Sequence, residues 1–438
     1  MTRKTRTFLF IICTLLFLLA APAAVLYSQG YRVDFDNKKL SQTGGLFLKT
    51  LPKQAEIYLD GKLEKKTDFF FGSALVENLL PKRYLVEVKK EGFYSWTKTL
   101  EVKEKQVTDA KNIILFPENI ELETLSSKVS AFWFSPDQKK IILLEENKPS
   151  SLPSSRERDS VLEEDKEQQG WSLKLYEIEN KVKSSLIDER NISTSPVELF
   201  GLEFSVDSNE ITITTGMEEE IRYFNLKLNK FPLNLTPTTP PSFLSKNIVA
   251  LKEIGEDIFS FTNSGHLFKN QGRLTQTPLT FLPETKYNLA VFQDNIFLLE
   301  GKNLYQFKPE TQSFEKIFDN AQNIKISPDN KKLAYFSERE IWILFLKETD
   351  GNLPKMPGDK LFLLRLSEKI DNVFWLNSNY LIFNTGNLIK ITEVDERDRI
   401  NIVDIKEIKN PRIFWNQFDK KLYILSGESL SFSTSLLP

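Results

Sequence analysis

One histidine, His266, and one cysteine, Cys13, stand in a chain of 438 residues. Zinc sites of the His/Cys kind take about four such ligands, or three with an open position, so they cannot be assembled here. A Ser-His-Asp or Cys-His arrangement would have to draw on His266. That residue lies in Ser264-Gly265-His266-Leu267 and reads as a turn before a strand. No G-x-x-x-x-G-K-[ST] phosphate loop, G-x-G-x-x-G turn or G-x-S-x-G elbow occurs. Carboxylates are plentiful, in Glu163-Glu164-Asp165, Glu218-Glu219-Glu220 and Asp395-Glu396-Arg397-Asp398. A glycosidase pair must face each other about 5–10 Å apart across a cleft. Runs on turns more often hydrate a surface, and none has the EF-hand spacing that calcium takes. The residues therefore nominate no catalytic, cofactor-binding or metal-ligating side chain, and no cofactor.

Charge narrows the partners. Lys and Arg number 58 against 60 Asp and Glu, for a net charge of −2, without the basic excess of a nucleic-acid binder. With 40% hydrophobic and 27% charged residues the composition is that of a folded chain.

The first 27 residues set the compartment. Arg3, Lys4 and Arg6 precede an uncharged run from Phe8 to Tyr27. At 1.5 Å per residue, such a helix spans about 30 Å, the thickness of a bilayer core. Positive charge before the run keeps residues 1–7 in the cytoplasm and sends the body outside. The same residues also admit a cleaved signal peptide, from the apolar Phe8–Leu19 and the small-residue site Ala21-Pro22-Ala23. Continuation through Val25-Leu26-Tyr27 favours the anchor. Cys13 lies within this run, so the exported part can form no intramolecular disulfide. Of the 58 basic residues, three lie in residues 1–31, leaving 55 against 60 acidic ones outside. That part is mildly acidic, with no polybasic lipid-binding patch.

A polar stretch, 28–43, reads as a linker. Beyond it the pattern changes to period two, with extended runs at Leu46–Thr50, Ala55–Leu59, Tyr84–Lys90, Tyr94–Val102 and Ala110–Phe116. Asp60-Gly61 between runs is a hairpin signal, because that turn needs positive φ. Residues 44–117 thus read as a small β module. Its blocks Pro52…Ala55-x-Ile57-x-Leu59-Asp60-Gly61, Leu80-Pro81-x-x-Tyr84-x-Val86-x-Val88 and Lys90-Glu91-Gly92-Phe93 resemble a PEGA domain, a β-sandwich of bacterial envelope proteins. The signature tetrapeptide here is Pro52-Lys53-Gln54-Ala55, Thr67-Asp68 replaces Thr-Pro, and Lys82 replaces Gly. Phe69-Phe70-Phe71 is expected to belong to a strand or bend whose alternate residues fill the core of this module, with an exposed contact patch as the other reading.

Residues 118–438 repeat. Val129–Leu144 contains Ser135-Pro136-Asp137-Gln138-Lys139-Lys140, and Asn323–Phe336 contains Ser327-Pro328-Asp329-Asn330-Lys331-Lys332. Each is strand, turn, two lysines, strand. Pro presets φ and Asp bonds the backbone two residues on. Weaker copies lie at Leu202–Ile213, Val373–Phe383 and Ile413–Ile424, with unmarked runs near 243–270 and 286–319. About seven units result, each near the 40–45 residues of a four-stranded propeller blade. The Ser-Pro-Asp copies resemble the TolB-type, WD40-like β-propeller repeat. The last unit lacks an outer strand, and Ile120–Leu125 is spare, so the two are expected to pair and close the ring. Trp133, Trp375 and Trp415, on the same strand of three units, are expected to pack between blades. Glu146–Gly170, rich in Ser and charge, reads as a mobile loop of the first blade.

The expectation is an all-β chain: transmembrane helix 8–27, linker 28–43, PEGA-like β-sandwich 44–117 and β-propeller 118–438. Its function would be that of a membrane-anchored extracytoplasmic binding or scaffold protein of the bacterial cell envelope. A propeller face would meet an envelope protein or cell-wall polymer, with the exported part a monomer and no nucleic acid bound. The alternative is an envelope glycoside hydrolase or lyase with carboxylates in the propeller channel.

Overall fold

Alternation, apolar runs and turn chemistry each leave their mark on the structure, a computed structural model that describes residues 3–437 apart from 36–37, 148–169, 218–219, 230–232, 239–246 and 350–353. The expected loop 146–170 lies, but for its ends, outside the described residues. Helix α1 (Arg3–Ser28) carries the apolar run, and its segment Thr5–Ser28 is long and apolar enough to cross a membrane, with none of it buried in protein.

Residues 28–43 are not the open linker expected. Strands β1 (Tyr31–Asp34) and β2 (Lys39–Gln42) form an antiparallel hairpin. Four-residue strands of mixed polarity leave little period-two signal. Contacts distant in sequence hold this hairpin, such as Arg32 to Asn78 at 3.0 Å.

Next come β3 (Gly44–Leu51), β4 (Glu56–Leu59), β5 (Lys62–Lys66), β6 (Ser73–Leu79), β7 (Arg83–Lys89), β8 (Trp96–Glu101) and β9 (Val107–Ile114). They form two sheets, β6-β3-β9 and β5-β4-β7-β8. Alternate residues of both sheets, including Leu46, Leu48, Ile57, Val86 and Val88, close one core. Asp60 and Gly61 have φ of 49° and 80°, as the hairpin signal requires.

Among the described residues the rest forms seven consecutive four-stranded antiparallel sheets, within 129–188, 198–238, 248–273, 287–318, 323–365, 370–407 and 412–433. The seventh takes its fourth strand from the far side of the chain. β10 (Leu122–Ser126) pairs with Ser429–Ser433, so the expected closure is present. In the first, fourth, fifth, sixth and seventh sheets the second strand carries a continuous apolar run, as in Ile141-Ile142-Leu143-Leu144 and Leu333-Ala334-Tyr335-Phe336, because neighbouring sheets cover both its faces, whereas the second and third sheets have Ile211-Thr212-Ile213 and Phe259-Ser260-Phe261 there. Shared cores join the first sheet to the second, the third through seventh in succession, and the seventh back to the first. At the last seam Tyr423, Leu425 and Leu430 pack on Ile141 and Leu143. The succession is that of a β-propeller in which the last sheet meets the first.

The Ser-x-Asp turn recurs with one geometry. Ser135, Ser205 and Ser327 Oγ donate to Asp137, Asp207 and Asp329 Oδ1 at 2.6, 2.6 and 2.5 Å. Each Oγ also accepts the backbone N–H of the residue five on, at 2.9 Å. The residue after the Asp adopts φ of 55–61° (Gln138, Ser208, Asn330). The turns also hold each other across sheets. Lys140 Nζ donates to Ser208 O at 2.7 Å, and Gln417 N to Gln138 Oε1 at 2.6 Å. The motif is structural glue between sheets.

Candidate functional site at the sandwich–propeller junction

Strand β8 alternates buried and part-exposed residues, and Trp96, Lys98 and Leu100 face inward. Lys98 is 0% exposed. An ammonium ion out of water is costly unless it is paired and hydrogen-bonded. Its partners come from the sixth sheet of the propeller. Lys98 Nζ lies 2.5 Å from Glu393 Oε1, donates to Asp395 O at 2.9 Å and lies 3.5 Å from Asp395 Oδ2. Glu393, equally buried, also accepts from Trp96 Nε1 at 2.8 Å and from Asn401 N and Nδ2 at 2.9 and 2.8 Å.

The surrounding loop continues the contact. Arg397 grips the Asp395 carboxylate with Nε and a terminal nitrogen, and donates from the other to Asp109 O at 2.6 Å. Burial would push the Asp395 carboxyl up, but the Arg397 hydrogen bonds and the charges of Lys98 and Arg397 hold it below its usual range. Thr99 N donates to Asp398 Oδ2, and Tyr380 OH bridges Asn112 O and Ile114 N of β9. Burial pushes the Tyr380 phenol well above its ordinary value, so it stays a neutral donor. Phe116 meets the Tyr380 ring edge-on at 5.3 Å and joins the apolar core of the sixth and seventh sheets. A recess of about 150 Å³ remains between Trp96, Asn112, Tyr380 and Arg397. A wider one of about 390 Å³ lies beside it, reaching Lys332 and Lys355.

The carboxylates of this junction are committed to fixed donors. They bind the sandwich to the propeller. The run Asp395–Asp398, read from the sequence as a hydrated turn, is instead a docking loop. Lys98 and Glu393 escaped the sequence reading. A signal was present: a lysine at the inward parity of an alternating strand, flanked two residues either way by Trp96 and Leu100.

The other candidates fall elsewhere. His266 stands on a turn, its Nδ1 3.0 Å from Thr275 Oγ1. Glu220 pairs with Arg222, while Glu218, Glu219 and Glu163-Glu164-Asp165 lie outside the described residues. Among the described residues no group of three or more His, Cys, Asp or Glu side chains is placed to hold a metal. Around the inner strands of the propeller, Phe134 stacks on Phe414 at 3.9 Å, and Phe374 meets Phe414 at 5.3 Å. Lys325 Nζ sits 5.2 Å over the Phe374 ring, and burial lowers its pKa.

Trp375 and Trp415 are buried at seams between sheets, and Trp375 Nε1 donates across one to Lys325 O at 2.8 Å. Trp133 is half-buried. It pairs with Ile142, one step from the register of Trp415 with Leu422, and so takes the opposite face.

Phe69, Phe70 and Phe71 are not core residues. They are 65%, 73% and 74% exposed. The Asp68 carboxylate accepts from Phe70 N, Phe71 N and both donors of Ser73, which lowers its pKa and holds the three rings out on a tight turn. That local turn removes the strand alternation that would have carried the rings inward.

No family model matches the chain, and no curated protein does. Among solved structures, the chain is similar to YCF48 from Cyanidioschyzon merolae, at 9% identity and a TM-score of 0.41 over 72% of this chain and 98% of that one. It is also similar to the Cps50 (Swd1) beta-propeller domain of Myceliophteria thermophila, at 11% identity and a TM-score of 0.41 over 72% and 99%. Neither likeness carries a residue correspondence.

Proposed function

We propose that this chain is a membrane-anchored, extracytoplasmic binding or scaffold protein of the bacterial cell envelope. In this reading α1 stays uncleaved, residues 44–117 are a PEGA domain serving as a stalk, and the seven sheets are the blades of a TolB-type propeller. The propeller presents its loops to an envelope protein or to a cell-wall polymer.

The observation that carries the reading is the buried Lys98–Glu393 pair. A stalk that only tethered its cargo would need no charge buried against it. Breaking such a pair by removing one partner costs about 3–5 kcal/mol, so it specifies one orientation of the propeller above the stalk. A fixed orientation serves presentation of a surface.

Photo-crosslinking in intact cells, from exposed propeller positions of the full chain, tests this. The expected result is a discrete adduct with an envelope protein or wall polymer that disappears when residues 1–28 are deleted. Turnover of wall polymer by the purified exported part would contradict it.

A further inference from the structure

The hairpin β1–β2 is built inside out. Asp34 and Ser41 face the protein and are 4% and 1% exposed, whereas Val33 and Leu40, direct cross-strand partners, face away at 53% and 48%. Phe35, at the turn, is 83% exposed. A hairpin on the surface of a water-soluble body carries the opposite pattern, polar side out. Exposed contiguous apolar surface marks a partner or a membrane.

Position selects between these. The hairpin begins three residues after α1 ends, and the two are fixed to each other. Gly30 N donates to Tyr27 O at 3.1 Å, and Thr43 N to Gly30 O at 2.9 Å. Arg32 lies over the Tyr27 ring at 3.6 Å, donates to Tyr27 O at 3.0 Å, and reaches Asn78 of the sandwich. Tyr27 is the kind of residue that sits at headgroup level, with its ring half in lipid. A hairpin locked to that residue stays within a few ångströms of the same level, where apolar side chains are stable when turned toward the bilayer.

We infer that the β1–β2 hairpin is an interfacial foot. Val33, Phe35 and Leu40 rest in the headgroup–acyl boundary of the membrane that α1 crosses, and the foot fixes the tilt of the sandwich above it. This rests on the membrane-anchor reading, and the test separates the two.

The full chain, with Cys13→Ser as background, is reconstituted in lipid nanodiscs of phosphatidylcholine with a minor share of phosphatidylglycerol. An environment-sensitive fluorophore is attached through Leu16→Cys, Phe35→Cys, Leu40→Cys or Phe70→Cys, in separate samples. Positions 35, 40 and 70 are all exposed, so the label displaces no core. Doxyl quenchers are placed near the headgroups or at the chain ends. The label at 16 is expected to be quenched most by the deep quencher. Labels at 35 and 40 should be blue-shifted and quenched more by the shallow quencher than by the deep one. The label at 70 should stay unquenched. A lipid-buried label at 16 with water-exposed labels at 35 and 40 overturns the foot and leaves the anchor standing. A label at 16 that stays in water overturns both. A blue shift at 35 without lipid quenching, or only in discs holding two chains, assigns the face to a protein partner or second copy and overturns the proposal.

Discussion

Two kinds of joint hold this molecule together. Inside the propeller, sheet meets sheet through aliphatic and aromatic side chains on continuous apolar strands, with Ser-x-Asp turns bonded across the rim. Between sandwich and propeller, the centre of the joint is a buried ion pair ringed by Trp96, Asn401, Asp395 and Arg397. The first kind tolerates exchange, because apolar packing asks only for volume and parity. The second demands one partner in one place, since a displaced lysine leaves a buried carboxylate alone. Repetition built the ring, and charge complementarity sets its attitude.

Substitutions can break or sharpen that contrast. Lys98→Met should have the largest effect, a loss of about 3–5 kcal/mol on chemical denaturation, from stranding Glu393. Adding Glu393→Gln to Lys98→Met should regain part of it, because the buried charge is gone, although the single amide oxygen can serve Trp96 or Asn401 and not both. A seam residue such as Leu430, fully buried between the seventh and first sheets, should cost about 2–5 kcal/mol as Leu430→Ala. No second-site charge change would rescue it. Ser327→Ala should cost about 1–3 kcal/mol by leaving the buried Lys332 N–H without its acceptor.

Acid should loosen the junction in a graded way. The Asp395 carboxyl titrates below its unfolded value near 4, so the stability it supplies is complete above that value. That stability is lost as pH falls from about 4 through the folded pKa. Denaturation midpoints of the intact chain and of Asp395→Asn, measured across that range, should converge at the acid end. Smallest of all, Phe70→Ser should change stability by no more than about 0.5 kcal/mol, since its ring touches solvent. A larger loss would mean that the rings pack after all.

Much of the scaffold was legible because it is local. Asp60-Gly61 announces its turn, Ser-Pro-Asp announces a hairpin whose Asp bonds the backbone two residues on, and Ile120–Leu125 is a strand without a neighbour in its own stretch of chain. Each is decided by residues within a few positions of one another. The junction was not legible in that way. Lys98 and Glu393 lie 295 positions apart, and neither is unusual in its own segment until strand parity turns the lysine inward. Asp395–Asp398 looks like any charged turn until Thr99 and Asp109 arrive beside it. The three phenylalanines misled for the opposite reason. Apolar side chains imply burial, and only the four donors gathered by Asp68 reveal a turn that holds them out. The hairpin after the helix is too short for its pattern to rise above the polar stretch around it.

The orientation of propeller on sandwich is the claim on which the rest depends, and pulsed electron paramagnetic resonance measures it directly. Spin labels go on the exposed strand Lys62–Lys66 of the sandwich and on an exposed turn of the third propeller sheet, in the full chain with Cys13→Ser. The account predicts one narrow distance distribution that broadens in Lys98→Met and narrows again when Glu393→Gln is added. A distribution already broad in the unaltered junction, or one indifferent to Lys98, would contradict it.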